Sequence, residues 1–177
     1  VSSPGASTCR VKAIDYLVAG NAHTCAVLND DTVKCWGRGN SGQLGYGDTT
    51  TRGDQANEMG NNLPTVDLGT GNTAKQVVTG DEHTCAVLND DTVKCWGYGW
   101  YGQLGYGDTT DRGDQANEMG NNLPTVDLGT GKTAKQLVAG IAHTCAILND
   151  DTVKCWGAGN HGRLGYGDTS YRGGQAN

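Results

Sequence analysis

The sequence has no phenylalanine, three prolines and no long apolar run. A membrane helix needs about 20 consecutive apolar residues, so no membrane span is expected. Basic residues are also few. The 13 lysines and arginines face 19 acidic residues, a balance that argues against binding to the phosphate backbone of a nucleic acid. The 29 glycines, with Val, Leu, Trp, Tyr and Ala as the plentiful core formers, instead favour short strands joined by tight turns over packed helices.

The chain is built from a 60-residue repeat. The segment from His23 to Gly37 returns at His83 to Gly97 and, with one Val replaced by Ile147, again at His143 to Gly157. Repeats of this length indicate an array of similar units, each burying its apolar face against its neighbours. Function is therefore sought where the copies differ. Between residues 21–80 and 81–140, the differing positions are 21, 22, 38, 40, 41, 51, 72, 77 and 79.

Each copy is expected to contain four strands. In the second copy, residues 74–79 predict one strand, 83–88 and 92–97 a hairpin, and 124–128 a fourth strand. Four strands per repeat are typical of a β-propeller blade, so the fold class is all-β, with three four-stranded blades completed by a neighbouring chain. The domain prediction is one repeat domain over 1–177, with a fourth strand in 1–11, blade one in 12–68, blade two in 72–128 and an incomplete blade three in 132–177.

Six of the seven cysteines form pairs ten residues apart: Cys25 and Cys35, Cys85 and Cys95, Cys145 and Cys155. Each pair flanks Leu-Asn-Asp-Asp-Thr, which predicts a three-residue hairpin loop that sets the two cysteines opposite each other. Disulfides worth just under ~3 kcal/mol each follow, and they indicate a secreted protein. Zinc is the alternative, although the spacing lacks a second close ligand pair. Cys9 has no counterpart and is expected to be free or linked to another chain.

Three stretches of the second copy carry a resemblance to a known family. The Gly-x-x-His-Thr-x-Ala-Val-Leu segment at 80–88, the Val-Lys-Cys-Trp-Gly segment at 93–97 and the Gly-Gln-Leu-Gly segment at 102–105 resemble the regulator of chromosome condensation repeat. The resemblance implies a β-propeller of four-stranded blades whose members mostly bind other proteins. This chain is acidic and cysteine-rich, and has Asp31 and its counterparts where the family's hairpin usually has Gly. Nucleotide exchange and chromatin binding are therefore not expected.

No catalytic arrangement is apparent. Gly37–Gly42 fits the dinucleotide fingerprint G-x-G-x-x-G, but no helix follows it to hold a phosphate. His23, His83 and His143 could form a metal site under pseudo-symmetry, yet a hydrogen bond from each ring to a neighbouring carbonyl is the simpler interpretation. A non-enzymatic protein without a resident cofactor is expected.

The loop after the repeated Trp-Gly is the candidate binding surface. Arg38, Asn40 and Ser41 in the first copy become Tyr98, Trp100 and Tyr101 in the second, and Ala158, Asn160 and His161 in the third. Tyr, Trp and Arg are the residues that anchor protein interfaces. The alternative is that these rings pack onto the next blade. The predicted partner-binding residues are Arg38, Asn40, Tyr98, Trp100, Tyr101 and His161, with a protein or glycan as the ligand.

Two weaker signals lie in the acidic loops. Oxygen ligands for calcium could come from Asp48, Asp54 and Glu58, and in the second copy from Asp108, Asp114 and Glu118; ordinary loop capping is the alternative. The tripeptide Arg-Gly-Asp occurs at 52–54 and 112–114, as in ligands of integrin-type receptors. The third copy has Arg-Gly-Gly at 172–174, and a solvated turn, in a repeat rich in these residues, is the simpler interpretation.

Self-assembly is the second functional hypothesis. Residues 1–8 align with 61–68, and Asn177 aligns with Asn117, so the chain is expected to begin with a fourth strand that its third copy lacks. Supplying that strand from a neighbour would build a ring or a filament head to tail. The first hypothesis is a secreted, non-enzymatic propeller protein that acts as a protein-binding or scaffold module, and a head-to-tail structural subunit is the alternative.

Overall fold

Each 60-residue copy folds into the same antiparallel three-stranded sheet. The structure is a computed structural model that describes residues 13–175. Cys9 and the predicted strand over 1–11 lie outside those residues. Within them, no helix is long and apolar enough to span a bilayer. The strands are β1 (Ile14–Ala19), β2 (His23–Leu28), β3 (Val33–Gly37), β4 (Ala74–Thr79), β5 (His83–Leu88), β6 (Val93–Gly97), β7 (Ala134–Ala139), β8 (His143–Leu148) and β9 (Val153–Gly157), with short 3-10 turns at Gly60–Asn62, Gly120–Asn122 and Asn160–Gly162.

The central hairpin of each sheet has the predicted register. The Leu28 N–H donates to the Thr32 carbonyl at 2.9 Å, and Asp31 takes the left-handed conformation with φ of 59°. Asp tolerates this region better than most residues, which explains how it can stand where Gly is usual. Cys25 lies directly opposite Cys35, with a disulfide between them and a Cα–Cα distance of 4.1 Å. The two other cysteine pairs are joined in the same way.

The fourth strand predicted over 124–128 is not formed as a strand. No strand is assigned to this stretch, and it meets β6 through one backbone hydrogen bond, from the Val126 N–H to the Val93 carbonyl at 2.8 Å. On the side of β6 that faces away from β5, the next backbone groups belong to Cys95. The Tyr106 hydroxyl accepts a hydrogen bond from the Cys95 N–H and donates one to the Cys95 carbonyl, both at 2.9 Å. A side chain therefore occupies the place of the strand. Tyr46 and Tyr166 do the same in the other copies.

Every blade has two apolar faces. The forward face is formed by Cys, Val, Val and Cys of the hairpin, as Cys25, Val27, Val33 and Cys35 show in blade one. The rear face is formed by Ala, Leu and Trp on the alternate positions of the same strands, together with two apolar residues of the preceding strand, such as Ala74 and Val77 in blade two. The forward face of blade one packs against the rear face of blade two, and blade two packs against blade three in the same manner. The core therefore lies between blades, at two equivalent junctions.

Candidate functional site

One end of the blades gathers most of the positions that differ between copies. The Arg38 N–H donates to the Ala22 carbonyl at 2.8 Å, and Gly37 pairs with Arg52 in a two-residue bridge. These bonds place positions 21–22, 38–41 and 51 side by side, and the same bonds recur in the second and third copies. We name this end the variable surface; it comprises Asn21, Ala22, Arg38, Asn40, Ser41, Thr51, Asp81, Glu82, Tyr98, Trp100, Tyr101, Asp111, Ile141, Ala142, Ala158, Asn160, His161 and Tyr171.

Three tyrosines form a continuous aromatic row on the variable surface. The Tyr98 and Tyr101 ring centroids are 6.0 Å apart and those of Tyr101 and Tyr171 are 5.7 Å apart, both edge to face at 76°. This is a favourable geometry for aromatic pairs, and partial burial raises the pKa of Tyr98. Trp100 lies in the same loop as Tyr98 and Tyr101 and is 65% exposed. The tyrosines thus fix one another across blades two and three, while the indole remains available to a partner.

Backbone contact between the copies brings the aromatic row together. Gly102 has φ of +74°, and a Cβ at this position would lie 2.4 Å from the Gly174 backbone nitrogen. Only glycine permits this approach, which brings the loop holding Tyr101 against the segment that holds Tyr171. The loop itself is fixed by the Gln103 side chain, whose oxygen accepts the Tyr101 N–H at 2.9 Å.

The charged and polar members of the variable surface lie to either side of the row. Arg38 bridges blades one and two through an ion pair with Glu82 at 2.8 Å, so its charge is already partnered. Asn40 is exposed on the first copy. His161 is exposed on the third copy and has φ of 61°, a conformation that glycine and asparagine adopt more readily.

Four of the six carboxylates predicted as calcium ligands accept hydrogen bonds from protein groups. Asp48 forms a bidentate pair with Arg52 at 2.7 and 2.9 Å, and this bond holds the pKa of Asp48 at about 2. Glu58 accepts the N–H groups of Gly53 and Gln55. In the second copy, Asp108 pairs with Arg112, and Glu118 accepts two backbone N–H groups. Among the described residues, the buried Oδ1 atom of Asp114 has no hydrogen-bond partner.

Calcium binding and integrin recognition stay predictions for these loops. Across residues 13–175, no group of three His, Cys, Asp or Glu side chains is arranged to hold a metal ion. The arginine of each Arg-Gly-Asp tripeptide is held in place, because Asp48 pairs with Arg52 and Asp108 with Arg112. Ion pairing and loop capping account for Asp48, Glu58, Asp108 and Glu118.

Two of the three repeated histidines, His23 and His83, lie within hydrogen-bond distance of threonine hydroxyls, a partner that the sequence did not predict. The His23 Nε2 lies 2.9 Å from the Thr84 Oγ1, and that hydroxyl donates to the Gln43 carbonyl at 2.9 Å. His83 and Thr144 repeat the arrangement at the next junction. Burial lowers the pKa of His23 to about 4 and that of His83 to about 3. Both rings are neutral near pH 7 and join neighbouring blades.

Comparison with known proteins identifies the repeat. Two models of the regulator of chromosome condensation (RCC1) repeat match the chain, one at residues 14–43, 74–103 and 134–163 and the other at residues 30–87. The chain belongs to the RCC1 repeat family. It is 35% identical over 152 residues to the ultraviolet-B receptor UVR8 of Arabidopsis thaliana, a match that covers 85% of this chain and 31% of UVR8.

Solved structures agree on the fold. Yeast RCC1 (Prp20), crystallised with Kap60, superposes with a TM-score of 0.65 at 16% identity, over 90% of this chain and 36% of that one. The ectodomain of the Arabidopsis thaliana receptor kinase ACR4 superposes with a TM-score of 0.51 at 22% identity, over 84% and 40%. The three RCC1 repeats therefore form part of a β-propeller and span well under half the length of these relatives.

Several members of the variable surface in these RCC1 repeats were not among the predicted partner-binding residues, and three of them stand out. Tyr171 completes the aromatic row, Glu82 pairs with Arg38, and Ile141 is 71% exposed. The signal that could have found them is the comparison of copies, since these residues occupy the counterparts of positions 51, 22 and 21. All three positions differ between copies, but they are distant in sequence from the Trp-Gly loop.

Proposed function

We propose that this protein is a non-enzymatic binding module that recognises another protein through the variable surface. One observation carries the proposal: substitutions that distinguish nearly identical copies are concentrated at one end of the blades. A surface under no functional demand would be expected to scatter its differences over all exposed positions. In repeat proteins, a constant frame with variable side chains on one face is a typical design for binding.

The chemistry of the variable surface supports a protein ligand. Exposed Trp100 beside the row of Tyr98, Tyr101 and Tyr171 supplies the residue types that dominate interface energies, where truncation of one anchor costs about 2 kcal/mol or more. The tyrosines are already held by one another, so binding would immobilise few further side chains, and the entropic cost of association would be small.

An extracellular location is part of the proposal. Three cysteine pairs lie at disulfide distance, and such bonds persist in oxidising compartments. The likeness to the ACR4 ectodomain shows that the fold is used in an ectodomain. We therefore propose that the module acts outside the cell, as a binding or scaffold element.

The test compares binding with stability. Trp100→Ala and Tyr101→Ala would each be used with the wild type to capture proteins from extracellular fluid by crosslinking, and affinities for the recovered proteins would then be measured. Lys75→Ala is the control because Lys75 is exposed at the hairpin end of the blades, away from the variable surface. We expect Trp100→Ala to weaken binding at least tenfold with an unchanged melting temperature, and Lys75→Ala to change neither.

Two results would contradict the proposal. One is unchanged affinity in both aromatic variants for every recovered protein. The other is binding to a glycan, measured on purified oligosaccharides, that depends on Trp100 while no protein partner does.

A further inference from the structure

Blade two differs from its neighbours at the variable surface in one chemical direction. Each of its members there is either acidic or aromatic: Asp81, Glu82, Asp111, Tyr98, Trp100 and Tyr101. At the same positions, the first copy has one arginine and neither an acid nor an aromatic ring, and the third copy has one tyrosine, one histidine and no acid. Carboxylates and large aromatic rings therefore occur together in one blade only.

We propose that this part of the variable surface binds an arginine side chain of the partner protein. A guanidinium is attracted to the faces of Trp and Tyr rings and forms charge-assisted hydrogen bonds with carboxylates. Its planar shape suits both groups better than the ammonium of lysine. The inference rests on the proposed function, because it names the chemistry that the variable surface recognises.

Two of the three acids are joined to the loop that carries the rings. The Asp111 Oδ1 accepts the Gly99 N–H at 2.8 Å, and the Glu82 carbonyl accepts the Tyr98 N–H at 2.8 Å. Burial raises the pKa of Tyr98, and the charges of Asp111 and Glu82 raise it further. The two carboxylates and this ring therefore lie within electrostatic reach of one another, as the binding of a single cationic group requires.

The molecule already holds one guanidinium at this surface. Arg38 of blade one reaches Glu82 in an ion pair at 2.8 Å. Among the residues that the structure describes, neither Asp81 nor Asp111 takes part in an ion pair, and the buried Asp81 Oδ1 has no hydrogen-bond partner. One of the three acidic charges is thus neutralised within the described chain, and two are not.

The surroundings of Asp111 favour an incoming cation. Partial burial raises the pKa of Asp111, and the neighbouring Asp114 raises it further. Both causes destabilise the charged carboxylate, and a cation beside it would counteract them. Trp100 is 65% exposed in the adjoining loop, so its ring is accessible for stacking. The net charge of −6 adds a longer-range attraction for a basic partner.

The test uses two peptides that differ only in charge. One is acetyl-Gly-Arg-Gly-Gly-Arg-Gly-amide, and the other has citrulline, a neutral residue with the shape of arginine, at both arginine positions. Each peptide is titrated into the intact protein at low salt, where screening is weak. Binding is followed by the NMR signals of the Trp100 indole and the Tyr98 ring, which are assigned by their loss in Trp100→Ala and Tyr98→Leu.

Two variants separate a local charge from net charge. Asp111→Asn removes the charge but keeps the oxygen that accepts the Gly99 N–H, so the loop should keep its conformation. Asp91→Asn is the matched control because it removes one charge at a half-exposed hairpin turn, away from the variable surface. Asn tolerates the φ of 65° at that position as Asp does. Urea denaturation would confirm that both variants are folded.

The arginine peptide should shift the signals of Trp100 and Tyr98 in a saturable manner. The citrulline peptide should bind about tenfold more weakly, because it loses both the ring attraction and the ion pair. Asp111→Asn should weaken binding of the arginine peptide about threefold, as loss of a partly exposed ion pair does, and Asp91→Asn should leave it unchanged. Proteins captured by the wild type should show the same selective loss with Asp111→Asn.

Three results would overturn the inference. They are an arginine peptide that does not bind or does not shift the two ring signals, equal binding of the two peptides, and equal losses in Asp111→Asn and Asp91→Asn. Captured proteins that depend on Trp100 but not on Asp111 would exclude the arginine site and leave the binding module intact. If no captured protein depends on Trp100 while the arginine peptide binds as expected, the proposed function fails and the arginine site stands.

Discussion

Replacing Tyr106 with Phe tests the finding that a side chain takes the place of the fourth strand. The Tyr106 hydroxyl bonds the Cys95 N–H and carbonyl, both at 2.9 Å. Its ring packs against both core clusters, and burial raises its pKa. Water is poorly placed to replace the hydroxyl there. Leaving a buried donor or acceptor unpaired costs about 1–3 kcal/mol each, so Tyr106→Phe should lower the free energy of unfolding by about 2–5 kcal/mol.

Tyr166→Phe is the matched control within the same chain. Tyr166 makes the same two bonds to Cys155, at 3.0 and 3.2 Å, but the residue is 44% exposed. Solvent can therefore satisfy the Cys155 groups, and the expected loss is about 1 kcal/mol or less. Both substitutions keep the ring beneath its arginine guanidinium, so the hydroxyl alone differs.

Equilibrium urea denaturation measures both losses, with equal slopes required for the comparison. Losses of the same size in the two variants would show that burial does not control the effect. A loss below about 0.5 kcal/mol for Tyr106→Phe, the range of ordinary surface substitutions, would refute the replacement of the strand by the hydroxyl.

Three further predictions concern residues that lie outside the variable surface. Because burial depresses the pKa of His23 to about 4 and of His83 to about 3, the unfolded chain binds more protons below pH 6.5. Between pH 7 and pH 5, the free energy of unfolding should therefore fall by about 2 kcal/mol per histidine. A free energy of unfolding that stays constant over this interval would contradict the prediction. Gly42→Ala should cost clearly more stability than Gly71→Ala, since both have positive φ but only the Gly42 Cβ would meet backbone, at 2.3 Å; equal melting temperatures would refute the close approach. Arg52→Lys should raise the pKa of Asp48 from about 2 by breaking the bidentate pair, and an unchanged carboxyl titration in NMR would exclude that pair as the cause.

The sequence by itself determined the hairpins. Their turn residues, the left-handed Asp31 and the cysteines ten residues apart all act within one short segment, so local rules were sufficient. The same local rules predicted a fourth strand that the structure does not form. The alternating pattern of residues 124–128 predicts a strand. In the structure, the Tyr106 hydroxyl instead bonds the Cys95 backbone groups that a fourth strand would use. The pattern of 124–128 gives no information about this contact.

The tertiary structure decided which residues form a surface and which remain exposed. The sequence identifies every position that differs between copies, but only bonds such as Gly37 to Arg52 bring most of those positions to one end. The partner of His23 lies a whole copy away, at Thr84. Val33 and Val153 occupy the same position in identical local sequence, yet one is buried and the other is 63% exposed. Burial is a property of the neighbouring blade, and no local pattern records it.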